Sequence, residues 1–249
     1  MLYYINYKIS LPILQDIIKI LFMKKERKVS KDGSPYVTDE IFNTASHIFG
    51  TILSITVTVL LVVFASVAGK VWHIVSFSIY GVTLVSVFLS SSFHHGIDGN
   101  KKVENIFRLF DYLAIFLLIA GTYTPICLTV LRGALGWSIF GIVWGLAIIG
   151  ILIKIFFQKI PKWVTNTIYI SMGWVGIVMI YRLYTSIGIK GVIMILLAGL
   201  FYTIGSFIFY LEKPNPIPNK FGFHEIWHIF VIMGALTFSL FMYICILPN

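Results

Sequence analysis

Charged residues are scarce in this chain of 249 residues. Only 12% of the residues are Asp, Glu, Lys or Arg, whereas 58% are hydrophobic. In globular proteins the charged residues make up about a quarter of the chain, and a water-soluble fold could not cover its surface with half of that. The composition therefore excludes a soluble domain and predicts an integral membrane protein.

Cysteine and nucleotide-binding motifs are also scarce or missing. Cys127 and Cys245 are the only cysteines, and both fall in apolar stretches, where isolated cysteines usually pack as free thiols. The sequence contains neither a Walker loop nor a dinucleotide-binding fingerprint. We therefore expect no disulfide framework and no nucleotide site.

Long apolar runs fill most of the chain. A helix that crosses a bilayer needs about 20 apolar residues, and seven segments meet this requirement: 44–67, 73–95, 106–130, 137–157, 163–184, 191–210 and 223–247. The connections between them are too short to hold a second domain. The sequence predicts an all-α integral membrane protein, with a seven-transmembrane helix bundle over residues 37–249.

Residues 1–36 precede the predicted bundle. Apolar side chains between residues 13 and 21 recur at helical spacing, which predicts an amphipathic helix on the membrane surface. The basic linker at 24–34 follows this helix, and anionic lipid of the inner leaflet would attract it. We therefore expect anionic lipid as a partner of this segment.

Lys and Arg outnumber Asp and Glu by 19 to 10, and the excess sorts by loop. The N-terminal segment and the second, fourth and sixth connections with their flanks hold fifteen of these residues. The other side holds Lys70, Arg132, Arg182 and Lys190. This distribution is not the basic face of a nucleic-acid-binding protein. Because Lys and Arg accumulate on the cytoplasmic side, it predicts a cytoplasmic N-terminus and a C-terminus outside the cell membrane.

The strongest chemical signal is the pair His224 and His228. Two histidines four residues apart on a helix point in the same direction. A catalytic zinc site takes three protein ligands and a water molecule, and no His, Asp or Glu follows residue 228. The third ligand should therefore come from an earlier span. Glu225 is turned away from the histidine face, which argues against its being a metalloprotease base.

Two other predicted spans carry polar residues to the same side of the membrane. The second span ends with the sequence SSSFHH at 90–95, and Asp111 lies in the first turns of the third span. An ionisable residue at this depth needs a partner. Ser90 shares a helix face with His94, and Ser91 shares one with His95. The spacing alone leaves both serine-histidine pairs open.

A third polar group lies just before and within the start of the first span. Glu40, Asn43 and His47 follow one helical stripe, again on the inner face. We expect these side chains to brace the inner ends of the helices rather than to act in chemistry.

Taken together, these clusters resemble the hemolysin III branch of the superfamily that includes the adiponectin and progestin receptors. The matching patterns are Glu-x-x-Asn-x-x-x-His at 40–47, Ser-x-x-x-His at 90–94, the aspartate at 111 and His-x-x-x-His at 224–228. Each motif is short, but all of them occur in order on seven predicted spans. The resemblance covers about residues 37–247.

The resemblance implies a zinc site near the cytoplasmic leaflet. The implied ligands are His94, His224 and His228, with Asp111 at the metal-bound water and Ser90 nearby. The chain departs from the pattern by its N-terminal extension and by a second histidine, His95, next to the expected ligand. The identity of the ligand from the second span therefore stays open between His94 and His95.

The function that we predict is metal-dependent hydrolysis of a lipid amide or ester, with membrane lipid as the substrate. Zinc lowers the pKa of bound water towards about 7 and polarises a carbonyl, and Asp111 would take the proton. Two alternatives belong to other classes. One is a pore-forming haemolysin, and the other is a receptor-like protein in which the zinc is structural.

Overall fold

The structure is a computed structural model that describes residues 30–157, 160–218 and 220–249. The predicted amphipathic helix and most of the basic linker lie outside the described residues. Regular structure in the described residues is helical, apart from one isolated bridge between Ile217 and Phe221. The predicted all-α fold is confirmed for this part of the chain.

The helices follow one another through short connections. They are α1 (Glu40–Val67), α2 (Val71–Gly96), α3 (Lys101–Leu128), α4 (Ala134–Phe156), α5 (Lys162–Trp174), a 3-10 segment (Val175–Met179), α6 (Ile180–Leu211), α7 (Phe223–Phe241) and a π segment (Met242–Ile246). Within the described residues, six helical stretches are long and apolar enough to cross a membrane, whereas the sequence predicted seven spans.

The difference in number arises at Gly188. The predicted spans 163–184 and 191–210 fall in one helical stretch of 50 residues, Lys162–Leu211. Gly188 interrupts this stretch with a φ of 70° and a ψ of 179°, a conformation that glycine adopts without steric cost. The chain therefore leaves the helical path between the two predicted spans.

Contacts across Gly188 show that the stretch folds back on itself. The Lys162 ammonium lies 2.7 Å from the Glu212 carboxylate, and the Trp174 indole donates a hydrogen bond of 3.1 Å to the Thr203 hydroxyl. A straight helix of this length would extend about 75 Å and keep its ends apart. Lys162–Leu211 is therefore a helical hairpin with its reversal near Gly188.

Side-chain caps fix the ends of the helices near the polar cluster. Asp39 accepts hydrogen bonds from the backbone of Ile41 and Phe42 and begins α1. At the start of α7, the Glu225 carboxylate accepts a bond of 2.8 Å from the backbone N–H of Gly222. Such bonds satisfy N–H groups that have no partner within the helix.

The outer surface of the bundle is apolar, and its centre is filled with aromatic side chains. Val59 and Val63 on α1 are about half exposed, whereas Phe77, Tyr80 and Phe116 are fully buried. An apolar exterior of this kind suits a lipid environment, since hydrocarbon tails replace water there.

Candidate metal centre

Three histidines from two helices come together at one end of the bundle. His95 lies at the end of α2, and His224 and His228 lie in the first turns of α7. All three side chains are buried. The Nε2 atom of His224 is 3.3 Å from Nε2 of His95 and 3.1 Å from Nε2 of His228. The three residues can therefore offer one ligand atom each to a single ion.

The spacing of these nitrogens fits a tetrahedral metal. Nitrogens bound to one tetrahedral zinc ion at about 2.1 Å lie about 3.4 Å apart, close to the 3.1 and 3.3 Å distances observed here. Three imidazoles are also a ligand set that catalytic zinc sites use. The residues present therefore fit the metal that the sequence predicted.

The other nitrogen of each ring faces an oxygen. Nδ1 of His95 is 2.6 Å from the Glu40 carboxylate. Nδ1 of His224 is 3.1 Å from a carboxylate oxygen of Asp32. The two atoms are close, but they are not aligned for a hydrogen bond.

For His228, Nδ1 is 3.5 Å from the Ser46 hydroxyl. The proton of that hydroxyl is donated to the Asn43 carbonyl, so the serine oxygen is left to accept. The Nδ1 atoms of His95 and His228 therefore each have an acceptor, and Nδ1 of His224 faces the Asp32 carboxylate without a hydrogen bond. Ring protons on these Nδ1 atoms would leave the three Nε2 lone pairs free for a metal ion.

His94 occupies a different position from its neighbour. Its Nε2 atom is 3.2 Å from Oδ1 of Asp32, and its Nδ1 atom has no partner among the described residues. Asp32, His94 and His95 form a second group that could hold an ion, and His95 belongs to both groups. The structure thus brings His95 to the His224 and His228 pair and directs His94 towards Asp32.

The Asp32 carboxylate is buried between two histidines. Burial by itself raises the pKa of a carboxyl group, but the neighbouring imidazoles of His224 and His94 outweigh it and hold the pKa of Asp32 below its usual range. An ionised carboxylate in this position is therefore held by its histidine neighbours.

Asp111 faces the same space as the histidines. It lines a cavity of about 80 Å³ together with Asp32, Ser91, His224 and His228. The Ser91 hydroxyl interacts with the Asp111 carboxyl. The carboxyl group predicted to act as a base therefore lines the same cavity as His224 and His228, two of the three candidate ligands.

Ser90 does not take part in this arrangement. Its hydroxyl donates a bond of 3.1 Å to the carbonyl of Val87 in its own helix. The residues that line the polar cavity include Ser91 and not Ser90. The structure therefore places the pair Ser91 and His95 at the site, and the pair Ser90 and His94 beside it.

The other predicted polar residues brace the cluster. Glu225 accepts bonds from the backbone of Asp39 at 2.6 Å and from the side chain of Asn43 at 3.3 Å, in addition to its own helix cap. It joins the starts of α1 and α7 and does not line the cavity. The His47 ring stacks on the His228 ring, with 3.8 Å between the centroids.

A larger apolar cavity adjoins the polar one. Its volume is about 160 Å³, and its walls come from α3, the helical hairpin and α7. Four residues line both cavities: Ile115, Tyr169, Ser206 and Trp227. The histidine cluster therefore lies beside a space suited to a hydrocarbon chain.

Two buried residues near the cluster escaped the sequence analysis. Lys31 and Asp32 are 7% and 8% exposed, although both lie in the stretch that was read as a basic linker. Their neighbours carry no helical or motif pattern that points to burial. No signal in the sequence distinguishes Asp32 from a solvated loop residue.

Comparisons with known proteins agree with the motif pattern. The family model for haemolysin-III related proteins matches residues 36–239. The hemolysin-3 homolog of Bacillus subtilis (strain 168) is 41% identical over 211 residues, which cover 85% of this chain and 94% of the relative. Hemolysin-3 of Bacillus cereus is 41% identical over 212 residues, 85% and 92% of the two chains. The human monocyte to macrophage differentiation factor is 23% identical over 218 residues, 86% and 87% of the two chains.

Proposed function

Since the chain belongs to the haemolysin-III related family of multi-pass membrane proteins, we propose that it is a zinc-dependent hydrolase of lipid amide or ester bonds. The ligands in this proposal are His95, His224 and His228. His95 therefore takes the place of His94, the ligand that the family resemblance implied. The family resemblance read from the sequence is confirmed, whereas the metal and the reaction are proposals.

The arrangement of the three Nε2 atoms carries the proposal. Nε2 of His224 lies 3.3 Å from Nε2 of His95 and 3.1 Å from Nε2 of His228, so ring protons on the outer Nδ1 atoms would leave three lone pairs converging on one point. Lone pairs at this distance repel one another strongly in a buried site, where the effective dielectric constant is low. A divalent cation between them turns this repulsion into ligation, which supports a metal at this position.

The chain's own residues then take defined roles. His95, His224 and His228 would hold the zinc ion, which when bound would supply a water molecule of lowered pKa and a polarised carbonyl group. Asp111, in the same cavity, accepts the proton of the attacking water and passes it to the leaving group. Ser91 orients the Asp111 carboxyl through its hydroxyl.

The two adjoining cavities support a lipid substrate. An acyl chain would occupy the apolar cavity, whose walls are almost entirely hydrocarbon and aromatic. The polar cavity also contains Lys154, Lys162 and Asn166, which can bind the oxygen atoms of a headgroup. The scissile bond would then lie between these two regions, next to the histidines.

For the membrane topology we propose seven spans with a cytoplasmic N-terminus. The helical hairpin Lys162–Leu211 supplies the two spans that length and composition merge into one. Each half of it is long enough for a crossing of about 30 Å. The sorting of Lys and Arg supports the orientation and sets the metal centre near the cytoplasmic leaflet.

The test compares Asp111→Asn with His228→Ala in purified protein. We expect Asp111→Asn to keep its zinc and its thermal stability while turnover of a lipid panel falls by about 10² to 10⁴. His228→Ala should lose both zinc and turnover. Zinc-loaded parent protein that hydrolyses no amide or ester in the panel would overturn the hydrolase.

The same variants separate the two alternative functions. If the zinc is structural, His228→Ala lowers the melting temperature, and the parent shows no turnover for Asp111→Asn to lose. If the protein is a pore, the parent releases a trapped dye from pure liposomes, and Asp111→Asn releases it equally well. Both Bacillus relatives are named as hemolysins, so the experiment includes this leakage assay.

A further inference from the structure

A short segment ahead of α1 reaches into the metal centre. Residues 30–35 precede the region that the family model matches, which begins at residue 36. Lys31 and Asp32 in this segment are nonetheless as buried as the helix core, at 7% and 8% exposure. A charged residue is rarely buried unless it has partners, so their contacts should explain their position.

Lys31 anchors the segment to the end of α2. Its ammonium group donates to the backbone carbonyls of His94 at 3.1 Å, His95 at 2.6 Å and Ile97 at 3.1 Å. It also lies 3.1 Å from the Asp98 carboxylate. The last carbonyls of a helix lack partners and carry partial negative charge, so a cation is stabilised there. Lys31 thus caps the turn that carries both histidines of α2.

This anchor delivers the next residue to the histidine cluster. The Asp32 carboxylate has one oxygen 3.2 Å from Nε2 of His94 and the other 3.1 Å from Nδ1 of His224. A carboxylate on the outer nitrogen of a metal-binding histidine fixes the ring and makes the inner nitrogen a better ligand. Glu40 has this relationship with His95 through a hydrogen bond. Asp32 faces Nδ1 of His224 at 3.1 Å as a charged neighbour, without an aligned hydrogen bond.

We propose that Asp32 is a positioning residue for the metal centre, delivered by Lys31 from outside the region that the family model covers. It holds His224 with Nε2 directed at the other two ligands and holds His94 away from them. The inference rests on the metal site proposed above and is independent of whether the site hydrolyses lipid. The segment at 30–35 is accordingly part of the site and not only a tether.

The experiment measures zinc affinity by competition with a chelator in the purified full-length protein. Asp32→Asn should weaken zinc binding 10- to 100-fold, and Lys31→Met should weaken it in the same direction. Asp39→Asn is the matched control, since it removes a nearby carboxylate at the start of α1, just after the segment, and Asn preserves the helix cap. The control should bind zinc as the parent does.

A second readout distinguishes positioning from loss of folding. With Co²⁺ in place of zinc, the visible absorption of the parent reports the ligand geometry, and Asp32→Asn should change it while Asp39→Asn does not. If Asp32→Asn does not fold, Asp32→Glu keeps the charge and should bind zinc with intermediate affinity.

The outcomes separate this inference from the proposed function. His228→Ala should lose its zinc, which shows that the metal centre exists. If the parent and Asp32→Asn then bind zinc with equal affinity, the role of Asp32 is overturned and the metal centre stands. The same comparison applies to Asp32→Glu if that variant is used instead. A parent protein that binds no zinc would overturn the metal centre and this inference together.

Discussion

Glu40 at the start of α1 and His95 at the end of α2 are joined by a hydrogen bond of 2.6 Å between the carboxylate and Nδ1. The bond places the imidazole proton on Nδ1, so the Nε2 lone pair points at His224, 3.3 Å away. The spacing of Glu40 on its own helix predicted only that it would brace the inner end of α1. The contact instead makes it a partner of a candidate ligand.

Replacing this carboxylate tests the relationship. In Glu40→Gln the side chain keeps its size but accepts the Nδ1 proton less strongly, so we expect zinc affinity to fall about 10- to 100-fold. Chelator competition measures the change. Glu104→Gln, which removes a carboxylate from the first turn of α3, should leave the affinity unchanged, and equal affinity in both variants would contradict the prediction.

The two histidines at the end of α2 should behave differently. His95→Ala should lose bound zinc, because its Nε2 atom lies in the cluster. His94→Ala should retain most of it, because that ring faces Asp32. Elemental analysis of purified protein measures both. His73→Ala is the control, since that ring contacts the carbonyl of Ile246 in the terminal π segment instead. Zinc lost only from His94→Ala would restore the ligand set that the motif implied.

The neighbouring serines offer a similar contrast in turnover. Ser91→Ala removes the hydroxyl that contacts Asp111, and kcat should fall about tenfold, the effect of losing one hydrogen bond to a charged group. Ser90→Ala removes a hydroxyl that donates to the carbonyl of Val87 in its own helix, so kcat should stay close to that of the parent. Steady-state kinetics on one lipid substrate decide between them, and a larger loss in Ser90→Ala would reverse the assignment.

Filling the apolar cavity should select against long acyl chains. A Cβ at Gly199 meets no atom within 4 Å, and this glycine lines the cavity. Gly199→Leu should therefore fold normally, raise KM for long-chain substrates and leave short-chain substrates unaffected. Gly141→Leu adds the same side chain at another open position outside the cavity. This variant should leave the KM for long-chain and for short-chain substrates unchanged. A uniform effect on all chain lengths would argue against this cavity as the acyl site.

The helical hairpin predicts the sides on which its ends emerge. Lys190 and Lys213 are both exposed and lie near the reversal and after α6, respectively. With the two native cysteines replaced by alanine, a cysteine at position 190 should react with a membrane-impermeant maleimide on intact cells. One at position 213 should react only after lysis. Labelling of both positions from outside would exclude the seven-span topology.

Hydropathy located almost every helix, because length and apolar content are local properties of the chain. Hydropathy placed the boundary between the predicted spans 163–184 and 191–210 where Gly188 interrupts the helix. It could not show that Lys162 and Glu212 meet, since that contact depends on how the chain reverses. For the same reason, the sequence offered no indication that Asp32 is buried against His224.

The sequence by itself determined the membrane class, the family and the kinds of side chain that gather at one end of the bundle, because composition and short motifs can be read without knowing how the helices pack. Tertiary structure decided which histidine of the pair at 94 and 95 meets His224. Adjacent residues on a helix differ by about 100° in direction, and the rotation of α2 is set by packing against its neighbours. Only the packed helices, with Lys31 holding the end of α2, turn His95 towards the cluster and His94 towards Asp32.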